Sequence, residues 1–193
     1  MGTLLYMKQI YQIMTNSPWK FFNELTMYFL KPIIYFYLKL KGVAIGKNAK
    51  FYGFPKVMRY QGSKIIIGEN FEDRSSGFSN PLGINHPTIF CTWSANAVIN
   101  IGNDVGISGG SIVANKSIEI GNGTLIGANS SIIDTDFHPV NSKSRRHDKT
   151  NIKTLSVKIG NNVFIGMNSI ILKGSNIKNN SVIPAGSIIR KQY

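Results

Sequence analysis

Residues 159–188 read as five consecutive six-residue units, IGNNVF, IGMNSI, ILKGSN, IKNNSV and IPAGSI. Their aliphatic leaders are Ile159, Ile165, Ile171, Ile177 and Ile183, and Ile189 follows in step. Earlier in the chain IGNDVG and ISGGSI begin at Ile101 and Ile107, and VANKSI begins at Val113. One residue is inserted at Glu119, after which IGNGTL, IGANSS and IIDTDF begin at Ile120, Ile126 and Ile132. Weaker copies start at Ile67 (IGENFE) and Ile45 (IGKNAK). A period of six is neither the 3.6 of a helix nor the seven of a coiled coil. It fits a solenoid in which each unit supplies a short strand and a tight turn. Every sixth side chain then points inward and stacks on its equivalents above and below, so each rung buries its apolar face only against its neighbours. Gly and Asn at the turn positions suit left-handed backbone angles.

Composition divides the 193 residues unevenly. The net charge of +13 lies mostly at the N-terminal side: residues 1–64 hold ten Lys/Arg and one acid, Glu24, which gives +9. No helix-turn-helix, zinc-finger or aromatic RNA-binding pattern accompanies this charge, which argues against nucleic acid. Residues 4–40 are aromatic and aliphatic, punctuated by Lys20, Lys31, Lys39 and Lys41. Their uncharged stretches are shorter than the ~20 residues a membrane span needs, and no small-residue cleavage site follows an apolar core, so neither a span nor a signal peptide is expected. Pro32 disfavours helical backbone at Lys31, which predicts a break or kink there. Two readings of residues 1–41 stand together: helices that cap the open end of the solenoid, and a basic aromatic helix lying in a membrane interface. The lone Cys91 cannot form an internal disulfide and reads as a small buried hydrophobe.

The repeat, together with NPLGINHP at Asn80–Pro87 and SIIDTDFHP at Ser131–Pro139, resembles the hexapeptide-repeat acyltransferases, and among them the sugar O-acetyltransferases of surface-polysaccharide synthesis, including those labelled colanic acid acetyltransferases. The resemblance covers about residues 42–193. It implies an all-β fold, a left-handed parallel β-helix with three units per coil. An N-terminal helical segment (1–41) precedes it and a loop (139–156) protrudes from it. It also implies acetyl-coenzyme A as co-substrate, a homotrimer with active sites between subunits, a sugar or lipid-linked saccharide as acceptor, and a cytoplasmic enzyme that can sit at the inner face of a membrane.

Acetyl transfer to an alcohol needs a base near neutrality, and histidine suits that task. The chain has His86, His138 and His147. His138 stands where the repeats stop, directly before the interruption at 139–156, and the resemblance puts the catalytic histidine at this HP position. Asp136 and Asp134 lie just upstream. Either could orient the imidazole, and either could equally be a turn aspartate bonding its own backbone. Asn85 and His86 fall in a region, 73–100, where the repeat is lost. They are candidates to contact the acceptor, or to cap a local loop. Ser108 stands near where galactoside-type relatives carry an acceptor-binding asparagine, so the chain departs from them there. By register with the resembling enzymes, Phe164, Gly166, Met167 and Ala185 are expected along the thioester and pantetheine arm. Lys173, Arg190 and Lys191 are expected at the phosphates. His147 lies in the basic stretch SKSRRHDK and is expected to be exposed.

Three other readings remain open: transfer to an amine or a serine on the same scaffold, a zinc carbonic anhydrase, and a non-catalytic scaffold. No metal is expected, because zinc needs about three clustered ligands and the nearest histidines, His138 and His147, are nine residues apart with the second in a basic loop.

Overall fold

The computed structural model describes residue 12 and residues 14–191. After helix α1 (Pro18–Leu40) the chain winds through six coils, each laying down three short strands. The first coil holds β1 (Val43–Ile45), β2 (Lys50–Tyr52) and β3 (Lys56–Met58). The second holds β4 (Lys64–Ile67), β5 (Glu72–Arg74) and β6 (Ile89–Thr92), and the third β7 (Val98–Ile101), β8 (Gly106–Ser108) and β9 (Ser111–Ala114). The fourth holds β10 (Ser117–Ile120), β11 (Leu125–Ile126) and β12 (Ser131–Ile133). The fifth holds β13 (Val157–Ile159), β14 (Phe164–Ile165) and β15 (Ile170–Ile171), and the sixth β16 (Asn176–Ile177), β17 (Val182–Ile183) and β18 (Ile188–Ile189). Every third strand pairs in parallel, giving three six-stranded sheets: β1-β4-β7-β10-β13-β16, β2-β5-β8-β11-β14-β17 and β3-β6-β9-β12-β15-β18. The result is a left-handed parallel β-helix.

The leaders stack as columns in the interior. Ile101, Ile120, Ile159 and Ile177 are register partners in the first sheet. Ile107, Ile126, Ile165 and Ile183 align in the second, and Ile112, Ile132, Ile171 and Ile189 in the third. All but the last of these are buried, and they belong to one continuous core. Two expectations about the repeat need correction. The leader of the unit after Ile107 is Ile112, not Val113: Ile112 follows Ile107 by five residues and precedes Ile120 by eight. The tight Gly109–Gly110 corner removes one residue and the Asn115–Lys116 corner takes up the surplus. The coil is also not lost over 73–100, because β5, β6 and β7 keep its register with their neighbours. Only residues 75–88 leave it as a loop.

Helix α1 lies across the first coil. Met27, Ile34 and Leu38 are buried, and Ile34 and Leu38 join the core directly. The first coil would otherwise present unpaired edge amides. Two tyrosines meet them: Ala49 N–H donates to the Tyr35 hydroxyl (3.0 Å) and Val57 N–H to the Tyr37 hydroxyl (3.2 Å). The expected break at Lys31-Pro32 does not occur, and Pro32 lies inside one uninterrupted helix. Its missing N–H falls on the exposed side, while the anchors Met27, Ile34 and Leu38 on the opposite side hold both halves to the coil.

Between the first and second sheets the coils nearly touch through main chain. A Cβ on Gly121 would lie 2.5 Å from the Gly160 carbonyl carbon, whereas one on Gly123 meets nothing within 4 Å but sits at φ +66°. Gly121→Ala is therefore expected to cost about 2–3 kcal/mol through forced separation of coils. Gly123→Ala should cost about 1 kcal/mol through backbone strain alone. Urea denaturation of the two variants, with equal losses, would contradict this assignment.

Candidate active site

Two loops leave the β-helix at opposite ends of the third-sheet strands. The segment 75–88 enters β6 from its N-terminal end, and the segment 134–156 leaves β12 at its C-terminal end.

The second loop has a built base. Thr135 and Thr154 form an antiparallel bridge, Asp136 N–H donates to Lys153 O (3.1 Å) and Leu155 N–H to Asp134 O (2.9 Å). Asp134 is fully buried, and its carboxylate accepts the amides of Asn115 (2.6 Å) and Lys116 (2.7 Å) in the preceding coil's corner. Desolvation raises its pKa and those amides oppose the rise. Its carboxylate serves a corner 18–19 residues earlier in the chain rather than its own turn or the imidazole. Asp136 pairs instead with Lys173, from the corner after β15, and its second oxygen is buried with no partner. The Lys173 ammonium is thus engaged at the loop base.

His138 follows through a strained turn. Phe137 has φ +61°, a value that bulky residues rarely adopt. His138 N–H donates to Asp136 O across it (2.7 Å). The Phe137 ring is held edge-on by Trp93, whose centroid is 5.7 Å away at an interplanar angle of 87°. The outcome is an exposed His138 imidazole on a fixed base, with no side-chain hydrogen bond to any described residue. His147, farther along the loop, is exposed as expected.

The first loop is strapped over the third and fourth coils. Asn85 N–H donates to Asn129 Oδ1 (2.8 Å), Arg74 Nη1 donates to Ser79 O (2.6 Å), and Asn23 of α1 donates to Phe78 O (3.0 Å). The loop comes so close to Gly109 that a Cβ there would lie 2.6 Å from the Ile84 Cβ. His86 Nδ1 lies 2.8 Å from Pro87 O, and the ring is partly exposed. Ser108, Gly166, Met167 and Ala185 follow at the same end of the third sheet, one corner after another. Arg190 and Lys191 are exposed at the opposite end, on His138's side. Phe164 projects outward from β14 and is half exposed. The structure therefore brings His138, Asp136 and Lys173 together at one end. Asn85, His86, Ser108, Gly166, Met167 and Ala185 lie at the other, with the third sheet between the two sets.

Sequence reasoning missed three residues of this framework. Asp73 occupies the inward slot between Phe51 and Ile107, in a column otherwise apolar, and is fully buried. Its Oδ2 accepts Ser75 Oγ–H (2.6 Å), and Ser75 Oγ in turn accepts Thr88 N–H (2.9 Å), closing the base of loop 75–88. Asp73 Oδ1 and Thr88 Oγ1 are buried without partners. A signal existed: residue 73 is six beyond Ile67, where a leader is due. Trp93 and Phe137 gave none, since their pairing spans 44 residues outside the repeat. Among the described residues no group of three or more His, Cys, Asp or Glu side chains could hold a metal ion.

Comparison with known proteins agrees with this architecture. The family model described as bacterial transferase hexapeptide (six repeats) matches residues 156–191. Comparison with curated proteins found no match. Among solved structures, a mutant of AntD, an N-acyltransferase from Bacillus cereus in complex with dTDP and coenzyme A, superposes with a TM-score of 0.56 at 20% identity, covering 81% of this chain and 78% of that one. The polySia specific acetyltransferase NeuO is also found, at 20% identity over 77% of this chain and 73% of that one, with a TM-score of 0.33. The fold class is thus a left-handed parallel β-helix, with the hexapeptide-transferase family model matching within its last coils. In particular, the chain carries that family's repeat across its last two coils and shares its fold with a coenzyme A-binding acyltransferase.

Two outcomes follow from the site. Burial pushes the Asp73 carboxyl up to about 7 from an ordinary 3.8, against the pull of Ser75. Between those values the folded state keeps a proton that the unfolded state releases, so raising the pH through this window favours unfolding. Urea midpoints of the wild type should fall from pH 4 to 7 relative to Asp73→Asn, which stays neutral, and parallel curves would contradict it. Trp93→Ala should cost about 1 kcal/mol of aromatic contact and free the strained turn. Hydrogen exchange at the His138 amide should then accelerate more than at Ile132.

Proposed function

We propose that the protein is an acetyl-coenzyme A-dependent O-acetyltransferase acting in the cytoplasm on a sugar or on a saccharide precursor, free, nucleotide-linked or lipid-linked. The observation that carries this reading is His138: an exposed imidazole held on a strained, rigidly based turn of a hexapeptide β-helix. An unpartnered imidazole can accept the hydroxyl proton. The alkoxide attacks the thioester carbonyl while a main-chain N–H stabilises the oxyanion. The C–S bond then breaks, and the departing thiolate recovers the proton from the imidazolium. Asp136 and Lys173 hold the turn beneath the histidine and act as positioning residues. AntD's complex with coenzyme A supports the donor, with the arm along Phe164, Gly166, Met167 and Ala185 of one copy and the phosphates near Arg190 and Lys191 of a neighbouring copy.

The division of candidate residues between two ends of the third sheet supports a homotrimer. Cyclic symmetry can set the Asn85 and His86 end of one copy beside the His138 end of the next. AntD is an N-acyltransferase, so amine sugars belong in the acceptor panel beside hydroxyl-only ones.

His138→Ala should lower turnover by about 10²–10⁴-fold and leave acetyl-coenzyme A binding by calorimetry unchanged. His86→Ala should raise the acceptor KM. For inactive His138→Ala and Asn85→Ala/His86→Ala parents, unfolding and refolding together should restore about a quarter of wild-type activity, the share of interfaces with both ends intact. No recovery would place each site within one copy, and no transfer to any acceptor by a protein that binds the donor would refute the reaction.

A further inference from the structure

Helix α1 carries two apolar faces, and the β-helix uses only one. Met27, Leu30, Ile34 and Leu38 face the first coil. Phe22, Leu25, Phe29, Ile33, Phe36 and Leu40 recur at three- and four-residue intervals on the opposite side, the spacing of a second helical stripe. All six are exposed, by 42% to 72%. Single exposed apolar residues are ordinary, but a stripe that runs the length of a 23-residue helix is a contact surface.

The surroundings of the stripe are cationic. Lys20, Lys31 and Lys39 lie on the helix itself and Lys41 caps its end, and Lys47, Lys50, Lys56 and Arg59 add exposed charge from the first coil on which it lies. The acid Glu24 accepts a hydrogen bond from the Tyr52 hydroxyl (2.5 Å). Beside the stripe, Lys31 and Lys47 open onto a shallow cleft of ≈ 670 Å³ with Tyr28, Pro32 and Tyr35. No helix among the described residues is long and apolar enough to cross a membrane.

We infer that α1 docks the protein on an anionic phospholipid surface, with the Phe22–Leu40 stripe in the acyl boundary and the lysines among the headgroups. An apolar stripe with a cationic rim, on a helix already fixed to a folded body, fits the plane of a bilayer interface. A second copy is a poorer occupant, because two such ends facing each other would bring like charges together. The inference does not depend on the proposed transferase reaction.

The test is co-sedimentation of the full chain with vesicles of phosphatidylcholine alone and of phosphatidylcholine with phosphatidylserine. The wild type should pellet with the second and not the first, and less so as salt rises. Phe29→Ser/Phe36→Ser should weaken that binding by roughly tenfold or more with an unchanged melting temperature, and Ile33→Ser tests the same face if the double variant fails to fold. Lys31→Glu/Lys47→Glu should weaken it and flatten the salt dependence. Failure of the wild type to bind anionic vesicles, or binding indifferent to all three variants, overturns the inference. So does a wild type that stays in solution while Phe29→Ser/Phe36→Ser changes its mass by light scattering, since the stripe would then be an interface between copies.

Discussion

The corner between the first and second sheets governs the rest of the molecule. There the glycine of one coil rests on the main chain of the next, as Gly121 rests on Gly160. The amide of the following residue donates to an asparagine one coil on: Glu69 to Asn103, Asn103 to Asn122, Asn122 to Asn161 and Asn161 to Asn179, at 2.7–2.9 Å. Turn amides that would lack partners in so tight a bend are satisfied from coil to coil. Left-handed residues such as Asn48, Asn70, Asp104, Asn162 and Asn180 complete each bend. A corner built this way has no room for an inserted residue. Both long loops leave at the other two corners, which is why the candidate site lies at the ends of the third sheet.

Rigidity at that spine allows strain elsewhere. Phe137 can be kept at a positive φ because Asp134 is bonded into the coil below, Asp136 into the coil above through Lys173, and its own ring against Trp93. Each contact fixes the turn from a different coil, so His138 can be exposed without being loose. Loop 75–88 has a matching device in Asp73. A carboxyl in an isoleucine column is costly unless neutral or paired, and the Ser75 and Thr88 contacts turn that cost into a fixed loop origin.

Helix α1 joins the two themes. Its inner face closes the open end of the solenoid, where edge strands would otherwise invite pairing, and Tyr35 and Tyr37 answer the exposed amides directly. The outer face takes no part in that closure. A helix needed only as a cap would be polar on that side, so the aromatic stripe carries information about surroundings rather than about folding.

The period of six was enough to determine strand, turn and column for most of the coil, because one residue type at one spacing meets one need: filling a narrow interior. It failed where spacing and burial part company. Val113 has the spacing, but Ile112 has the burial, since the Gly109–Gly110 corner is a residue shorter than its equivalents. Asp73 stood in a leader's slot and was legible as such, yet without an aliphatic residue it resembled the end of the repeat. His138 was legible by chemistry and motif. That Asp134 builds a corner while Asp136 meets Lys173, 37 residues on, was not, because adjacent aspartates look alike until the coils above and below them are placed. Nor could spacing tell that His86 and His138 stand at opposite ends of one sheet, or that α1 hides one apolar stripe and shows another. Those facts depend on which surfaces meet through space, and a linear repeat specifies only the rung on which each residue stands.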